Sequence, residues 1–284
     1  MSHHPAFGKN NVAVITGAAD GIGLAAAQIY AEMGMRICIA DIDSEKLSEA
    51  ASLLPDALAL TVDVADRSQV DALRDQAYAT FGQVDVLMNN AGIGKPTGAW
   101  TEGDNWQSIL GVNLGGVING TQAFTQSMLD QETPGLIINT GSKQGITLPP
   151  GNPAYNVSKA AIKALTESLQ HELRNTEGCQ ISAHLLVPGF TYTGMIKRFL
   201  PEQPAAAWTP EQVVQHMIAH ISGGDFYIIC PDNDVDRETD NARMAWTMDD
   251  LIQNRLPLSR WHKDYHSAFE AFMAANTGNE EEAD

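Results

Sequence analysis

The chain has 284 residues, 44% of them hydrophobic, with 24 Gly and 13 Pro, which suits one large domain with a sizeable core or two small ones. A formal net charge of −18 argues against nucleic acid and anionic membranes as partners, and no apolar run approaches the roughly 18 residues of a membrane span. Cys38, Cys179 and Cys230 are odd in number, far apart and in no Cys-x-x-Cys pair, and the first eleven residues lack the basic and apolar segments of a secretion signal. A cytoplasmic protein with reduced thiols is the expectation.

Residues 11–17, Asn-Val-Ala-Val-Ile-Thr-Gly, predict a buried parallel strand ending at a glycine. Gly17-x-x-x-Gly21-x-Gly23 then leads into an apolar helix over 22–33, a variant of the dinucleotide fingerprint in its strand-turn-helix setting. Gly17 lets the chain turn, Gly21 leaves room for a pyrophosphate against backbone N–H groups, and Gly23 lets helix and strand pack closely. Gly17, Asp20, Gly21, Ile22 and Gly23 are the first candidate cofactor contacts. A second strand over 36–40 ends at Asp41, at the distance expected of an acid that binds both ribose hydroxyls of NAD; a 2′-phosphate there would meet a like charge. The competing reading of Asp41 is a cap on a helix from Ser44. A third strand over 58–62 runs into Asp63 and Val64. Asp63 is read either as a partner of the adenine amino group or as a cap for a helix starting near Asp66.

A helix over 68–81 and a strand over 84–88 follow, then Asn89-Asn90-Ala91-Gly92. The small residues there leave room for a flat cofactor, with Asn90, Ala91 and Gly92 as candidate contacts and loop stapling as the competing role of both asparagines. After a loop over 93–104, Asn113 interrupts an apolar helical stretch over 109–117; a buried Asn needs partners, and this one holds either a kink or a water. A strand over 136–140 delivers Gly141-Ser142-Lys143-Gln144 to the carboxyl end of the sheet, outside which ligands of open parallel sheets lie. The helix predicted over 152–175 carries Tyr155 and Lys159 four apart, hence on one face. A lysine cation beside a phenol favours the phenolate, so the pair predicts a tyrosine that exchanges a proton at working pH. A strand over 181–187 ends at Pro188-Gly189. The irregular 190–209, with Phe190, Tyr192, Met195, Phe199 and Trp208, reads as a lid containing a short helix over 194–200. A helix over 210–221 and a strand over 226–230 complete the alternation. Beyond it lie an acidic turn over 232–240, amphipathic helices over 242–253 and 265–275, and an acidic tail over 276–284 read as disordered.

The alternation predicts an α/β fold: a Rossmann-type, doubly wound parallel sheet in one domain over 1–230, with a helical extension over 231–284 belonging to the same unit. Right-handed crossovers place Gly17, Asp41, Asp63, Asn89, Ser142 and Pro188 on one sheet edge. With Thr16-Gly17-x-x-x-Gly21-x-Gly23, Asn89-Asn90-Ala91-Gly92, Asn113, Ser142, Tyr155-x-x-x-Lys159 and Pro188-Gly189 through Thr193 in order, the chain resembles the short-chain dehydrogenase/reductase family over about 11–230. The resemblance implies about seven strands, a homodimer or homotetramer, and a set of roles. Tyr155 would be general acid/base, Lys159 would lower its pKa and hold the nicotinamide ribose, and Ser142 would bond the reacting oxygen. Asn113 would hold a water in a proton relay, Pro188 and Thr193 would position the nicotinamide carboxamide, and Gly189 and Thr191 would be further cofactor contacts. The long tail after Cys230 departs from the family's usual ending and suggests a role in assembly or packing.

The function expected is NAD-dependent hydride transfer to or from a small-molecule alcohol or ketone, with an apolar, aromatic or cyclic secondary alcohol suggested by the lid. Two other classes compete: a catalytically idle NAD-binding sensor or scaffold, and a nucleotide-sugar epimerase or dehydratase, which usually needs a larger carboxyl-terminal domain. No metal is expected. His216/His220 and His262/His266 have a possible zinc spacing but no third ligand, and read as helix-surface histidines.

Overall fold

A computed structural model describes residues 3–277 except 101 and 104. Most of the acidic tail read from the sequence, and part of the 93–104 loop, lie outside the described residues. In chain order the elements are β1 (Val12–Thr16), α1 (Gly21–Glu32), β2 (Arg36–Asp41), α2 (Ser44–Ser52), β3 (Leu58–Thr61), α3 (Arg67–Phe81) and β4 (Val86–Asn89). Then come α4 (Asn105–Ile109), a π-helical turn (Leu110–Gly115), α5 (Gly116–Leu129), β5 (Gly135–Thr140), α6 (Gln144–Thr147), α7 (Pro153–Arg174) and β6 (Ile181–Val187). The rest comprises α8 (Gly194–Lys197), α9 (Pro210–Ser222), β7 (Tyr227–Ile229), α10 (Arg237–Ile252) and α11 (His266–Asn276).

The seven strands form one sheet in the order β3-β2-β1-β4-β5-β6-β7, with every pairing parallel. Side chains alternate between the two faces of a strand, and β1 shows why both faces must be covered. Ala13 and Ile15 join a core with Tyr30 of α1, Leu47 of α2 and Val213 and Met217 of α9. Val12 and Val14 join a second core with Leu73 of α3, Phe124 and Met128 of α5 and Leu169 of α7. A strand buried on both sides reads as a continuous apolar run, which is the pattern of Val-Ala-Val-Ile. At about 25 cal/mol per Å² of apolar surface, these two layers are the main source of stability.

Helix starts follow local chemistry. Asp43 caps α2 by accepting from Lys46 N at 3.2 Å, and Asp66 caps α3 by accepting from Ser68 N at 2.9 Å. Asn152 stands at the N-cap of α7, with Pro153 in the first turn. The extension departs from the sequence reading: α10 begins at Arg237, where an acidic turn was expected, because Asp236 caps it at Thr239 N (2.8 Å) and Glu238 and Asp240 sit in its first turn. Trp246 of α10 is 4% exposed and donates to Ser259 Oγ at 2.8 Å, with Phe269 and Phe272 edge-on to it. Among the described residues, no helix is long and apolar enough to cross a membrane.

Candidate active site

The carboxyl ends of β1, β2, β4, β5 and β6 converge on one edge of the sheet. At β1, Gly17 has φ +64°, and a Cβ there would meet Ala91 Cα at 2.6 Å; at Gly23 a Cβ would meet the Gly17 carbonyl at 2.3 Å. Both glycines are therefore required by close approach, and Gly17 also by its left-handed backbone. Asn90 fastens the turn, donating from Nδ2 to the carbonyls of Thr16 (3.2 Å) and Gly17 (3.1 Å) and accepting from Thr140 Oγ1 at 3.3 Å. Ala91 N donates to Thr16 Oγ1 at 3.2 Å. Asn89 is a buried staple: its Nδ2 donates to Asn139 Oδ1 at 2.9 Å, and Asn139 donates in turn to Thr166 of α7. Asp20 caps α1 through Gly21 N at 2.6 Å.

Asp41 ends β2 beside this turn, accepting from Ala19 N and Asp43 N at 3.1 Å each; the cap of α2 is Asp43, not Asp41. Asp63 is likewise not the cap of α3, and its Oδ1 accepts from Ala65 N at 2.9 Å. The Val64 side chain is buried where a Cβ on Gly116 would strike it at 2.6 Å, and its carbonyl accepts from Asn119, which leaves its remaining main-chain atoms for any ligand contact.

Tyr155 and Lys159 share one face of α7, as four-residue spacing requires. Lys159 Nζ lies 5.6 Å from the centroid of the Tyr155 ring and donates to the Thr140 carbonyl at 2.8 Å. Gly92 floors this space: a Cβ there would lie 3.6 Å from Asn113 Oδ1 and 3.7 Å from Lys159 Nζ. Burial pushes the Tyr155 phenol up, with the neighbouring Ser142 side chain pulling the other way. The same burial brings Lys159 down to about 8. Loss of solvation thus raises the phenol and lowers the lysine.

Asn113 lies in the π-helical turn with 0% exposure. Its Oδ1 accepts from Ile93 N at 2.8 Å, and its Nδ2 donates to Ile93 O and Ser158 Oγ at 3.1 Å each. The side chain therefore pins the loop after β4 to α7, from within a widened helical turn. Ser142 Oγ accepts from Gln144 N at 3.2 Å, opening the short α6.

Pro188 O accepts from Lys143 N at 3.3 Å. A Cβ on Gly189 would meet Cys230 O and Lys143 Nζ at 3.0 Å, so the missing side chain lets these groups approach the turn. Thr191 is 7% exposed and pairs with Trp208, closing the base of the lid. Beyond it the lid bridges both banks of the edge. Thr193 lies 3.1 Å from where a Gly21 Cβ would stand, and Met195 Sδ lies 3.2 Å from the same point on Gly94. The helical part of the lid is shorter than expected, Gly194–Lys197 only.

A cavity of about 320 Å³ opens between α1 and the lid, lined among others by Asp20, Gln28, Tyr192, Lys197 and Glu211, and by none of Asn113, Ser142, Tyr155 or Lys159. Among the described residues no three His, Cys, Asp or Glu gather as a metal would need. His216 faces Ile229 O and His220 faces Asp225.

Residues 11–204 match the short chain dehydrogenase family, and the chain belongs to that family of oxidoreductases. It is 31% identical over 269 residues to a CLA biosynthesis dehydrogenase/reductase of Lactiplantibacillus plantarum, covering 92% of this chain and 91% of that one. It is 34% identical over 199 residues to 3beta-hydroxysteroid dehydrogenase 2 of Eggerthella lenta, covering 68% of this chain and 75% of that one. A short chain dehydrogenase/reductase of Burkholderia phymatum, solved with NAD, superposes with a TM-score of 0.80 at 31% identity, covering 90% and 98% of the two chains. The glycine turn closed by Asn90, the carboxylate of Asp41 at the end of β2 and the floor at Gly92 fit such a dinucleotide.

Proposed function

We propose that this chain transfers hydride between a secondary alcohol, or the corresponding ketone, and NAD, with Tyr155 exchanging the proton on the reacting oxygen. The observation that carries the reading is the buried Lys159 beneath the Tyr155 ring on one face of α7, at the sheet edge where Ser142 and the glycine turn also lie. NAD, when bound, supplies or accepts the hydride. Tyr155, protonated at neutral pH, donates to a carbonyl oxygen in reduction and recovers its proton in oxidation. Ser142 steadies charge developing on that oxygen. Lys159, with its ammonium facing the ring, favours the phenolate whenever it forms. Gly17, Asp20, Gly21, Ile22 and Gly23 take the pyrophosphate end, and Asp41 takes the adenosine ribose.

An apolar, cyclic or aromatic alcohol is the substrate class we favour. Lys143, the cation next to Ser142, is committed to carboxylates of the chain itself, which leaves it unable to draw an anionic substrate. The hydroxysteroid dehydrogenase among the relatives is named for a cyclic alcohol. A panel of cyclic and aromatic ketones with NADH tests the reading. Tyr155→Phe is expected to lose about 10²–10⁴-fold in kcat while NADH binding persists; turnover retained in that variant overturns the assignment. Asp41→Ser is expected to raise the NADP/NAD ratio of kcat/KM by about tenfold or more, since the like charge facing a 2′-phosphate is gone; a wild type equally efficient with both cofactors would contradict the preference.

A further inference from the structure

Lys143 directly follows Ser142, and its side chain reaches to carboxylates of the carboxyl-terminal part of the chain. Its Nζ forms an ion pair with Asp240 Oδ2 at 2.6 Å and lies 3.5 Å from Asp232 Oδ2. The three side chains are 18%, 7% and 8% exposed, so this is an interior cluster rather than a solvated surface pair. Buried charges persist only when paired, and stripping one partner leaves the other uncompensated. The partners come from far along the chain. Asp240 lies in the first turn of α10, and Asp232 lies just past β7.

Asp232 Oδ2 also accepts from Phe190 N at 3.3 Å, and Lys143 N donates to Pro188 O at 3.3 Å. The turn at 188–190 and the loop bearing Ser142 are thus tied twice, once through backbone and once through the ion cluster. The approach is possible because Gly189 has no side chain; a Cβ there would lie 3.0 Å from Lys143 Nζ and 3.1 Å from Asp232 Oδ2. The next residue, Asn233, holds the lid, donating from its backbone N to Ala206 O at 3.0 Å and from Nδ2 to Ala205 O at 2.6 Å. The α6 turn that follows Lys143 packs on α7 at the catalytic lysine, where a Cβ on Gly145 would meet the Lys159 carbonyl carbon at 2.5 Å.

We propose that Lys143, held between Asp232 and Asp240, is a positioning residue through which the carboxyl-terminal extension sets the placement of Ser142 and of the turn at 188–190. The proposal rests on the reading that this edge takes NAD, with the nicotinamide toward β6. None of the three residues touches the glycine turn or Asp41, so the device acts on the nicotinamide end alone.

The test compares NADH with ADP-ribose, which lacks the nicotinamide, by titration of the full chain. Asp240→Asn and Lys143→Met are each expected to weaken NADH by about five- to twentyfold while ADP-ribose stays within about twofold. Because all three groups act as one unit, the double variant Lys143→Met/Asp240→Asn is expected to lose no more than the worse single variant. Retained ADP-ribose binding also certifies that the variants fold. Equal weakening of both ligands, no change in either, or losses that multiply in the double variant overturns the proposal. A wild type that binds neither ligand ends the dinucleotide reading and this inference together. A wild type that binds both but reduces no ketone ends only the catalytic reading, and the ratio of affinities still decides the role of Lys143.

Discussion

Lys159 is kept in the interior at a cost in stability. The residue is 4% exposed, and its pKa falls from 10.5 to about 8. Between those values the unfolded chain holds a proton that the folded chain has released, so stability rises with pH across that window. Below about 8 the full penalty applies, roughly 3 kcal/mol at about 1.4 kcal/mol per pKa unit. Lys159→Met removes the charge but leaves the Thr140 carbonyl without its donor, a loss of about 1 kcal/mol. The variant is therefore expected to be about 1–2 kcal/mol more stable than the wild type at pH 7 and inactive, with the gain shrinking as pH nears 10. Urea unfolding at both pH values checks this; a variant less stable than wild type at pH 7 refutes the account of the lysine as a buried, destabilised cation.

At the scale of elements, the junction of β1 and α1 is set by contact rather than by propensity. A Cβ on Gly23 would lie 2.3 Å from the Gly17 carbonyl and 2.7 Å from Asn90 Nδ2, and the backbone carbonyl has little freedom to move. Gly23→Ala is expected to cost about 2 kcal/mol or more and to weaken NADH at least about tenfold. Gly82, which ends α3 at φ +78°, has nothing within 4 Å of an added Cβ. Gly82→Ala is expected to cost only about 1 kcal/mol, for the left-handed backbone, and to leave binding unchanged. Denaturation and NADH titration of the two variants side by side separate close packing from backbone strain. The sequence made the first of these junctions readable, because a strand, three spaced glycines and a helix leave few other arrangements. It did not reveal the π-helical turn at Leu110–Gly115, where Asn113 alone interrupts an apolar stretch and helical periodicity carries no mark of an extra residue. Nor did it place the start of α10, since acidic residues suit a turn and the first turn of a helix alike.

Across the whole molecule, the seven strands were within reach because each is a short apolar run set between turns and helical segments, and right-handed crossovers then select one edge for their carboxyl ends. What stayed hidden was long-range. Lys143 meets Asp240 across nearly a hundred residues of chain, and no local pattern announces that pairing. The direction in which the Tyr155 phenol titrates was also out of reach, because it depends on how much water the fold excludes around it.

The neighbour relation of β1 and β4 bears on how the protein is made. β1 lies mid-sheet, yet about seventy residues separate its end at Thr16 from the start of β4 at Val86. At typical ribosomal speeds of about 5–20 residues per second, the emerging chain spends roughly 4–14 s with one margin of Val-Ala-Val-Ile-Thr unmated. That margin is apolar, uncharged and free of proline, the profile of a segment prone to self-association. Synthesis that stalls in this interval leaves a polypeptide in need of a holdase, whereas one that has passed Asn89 carries the means to seal its own centre.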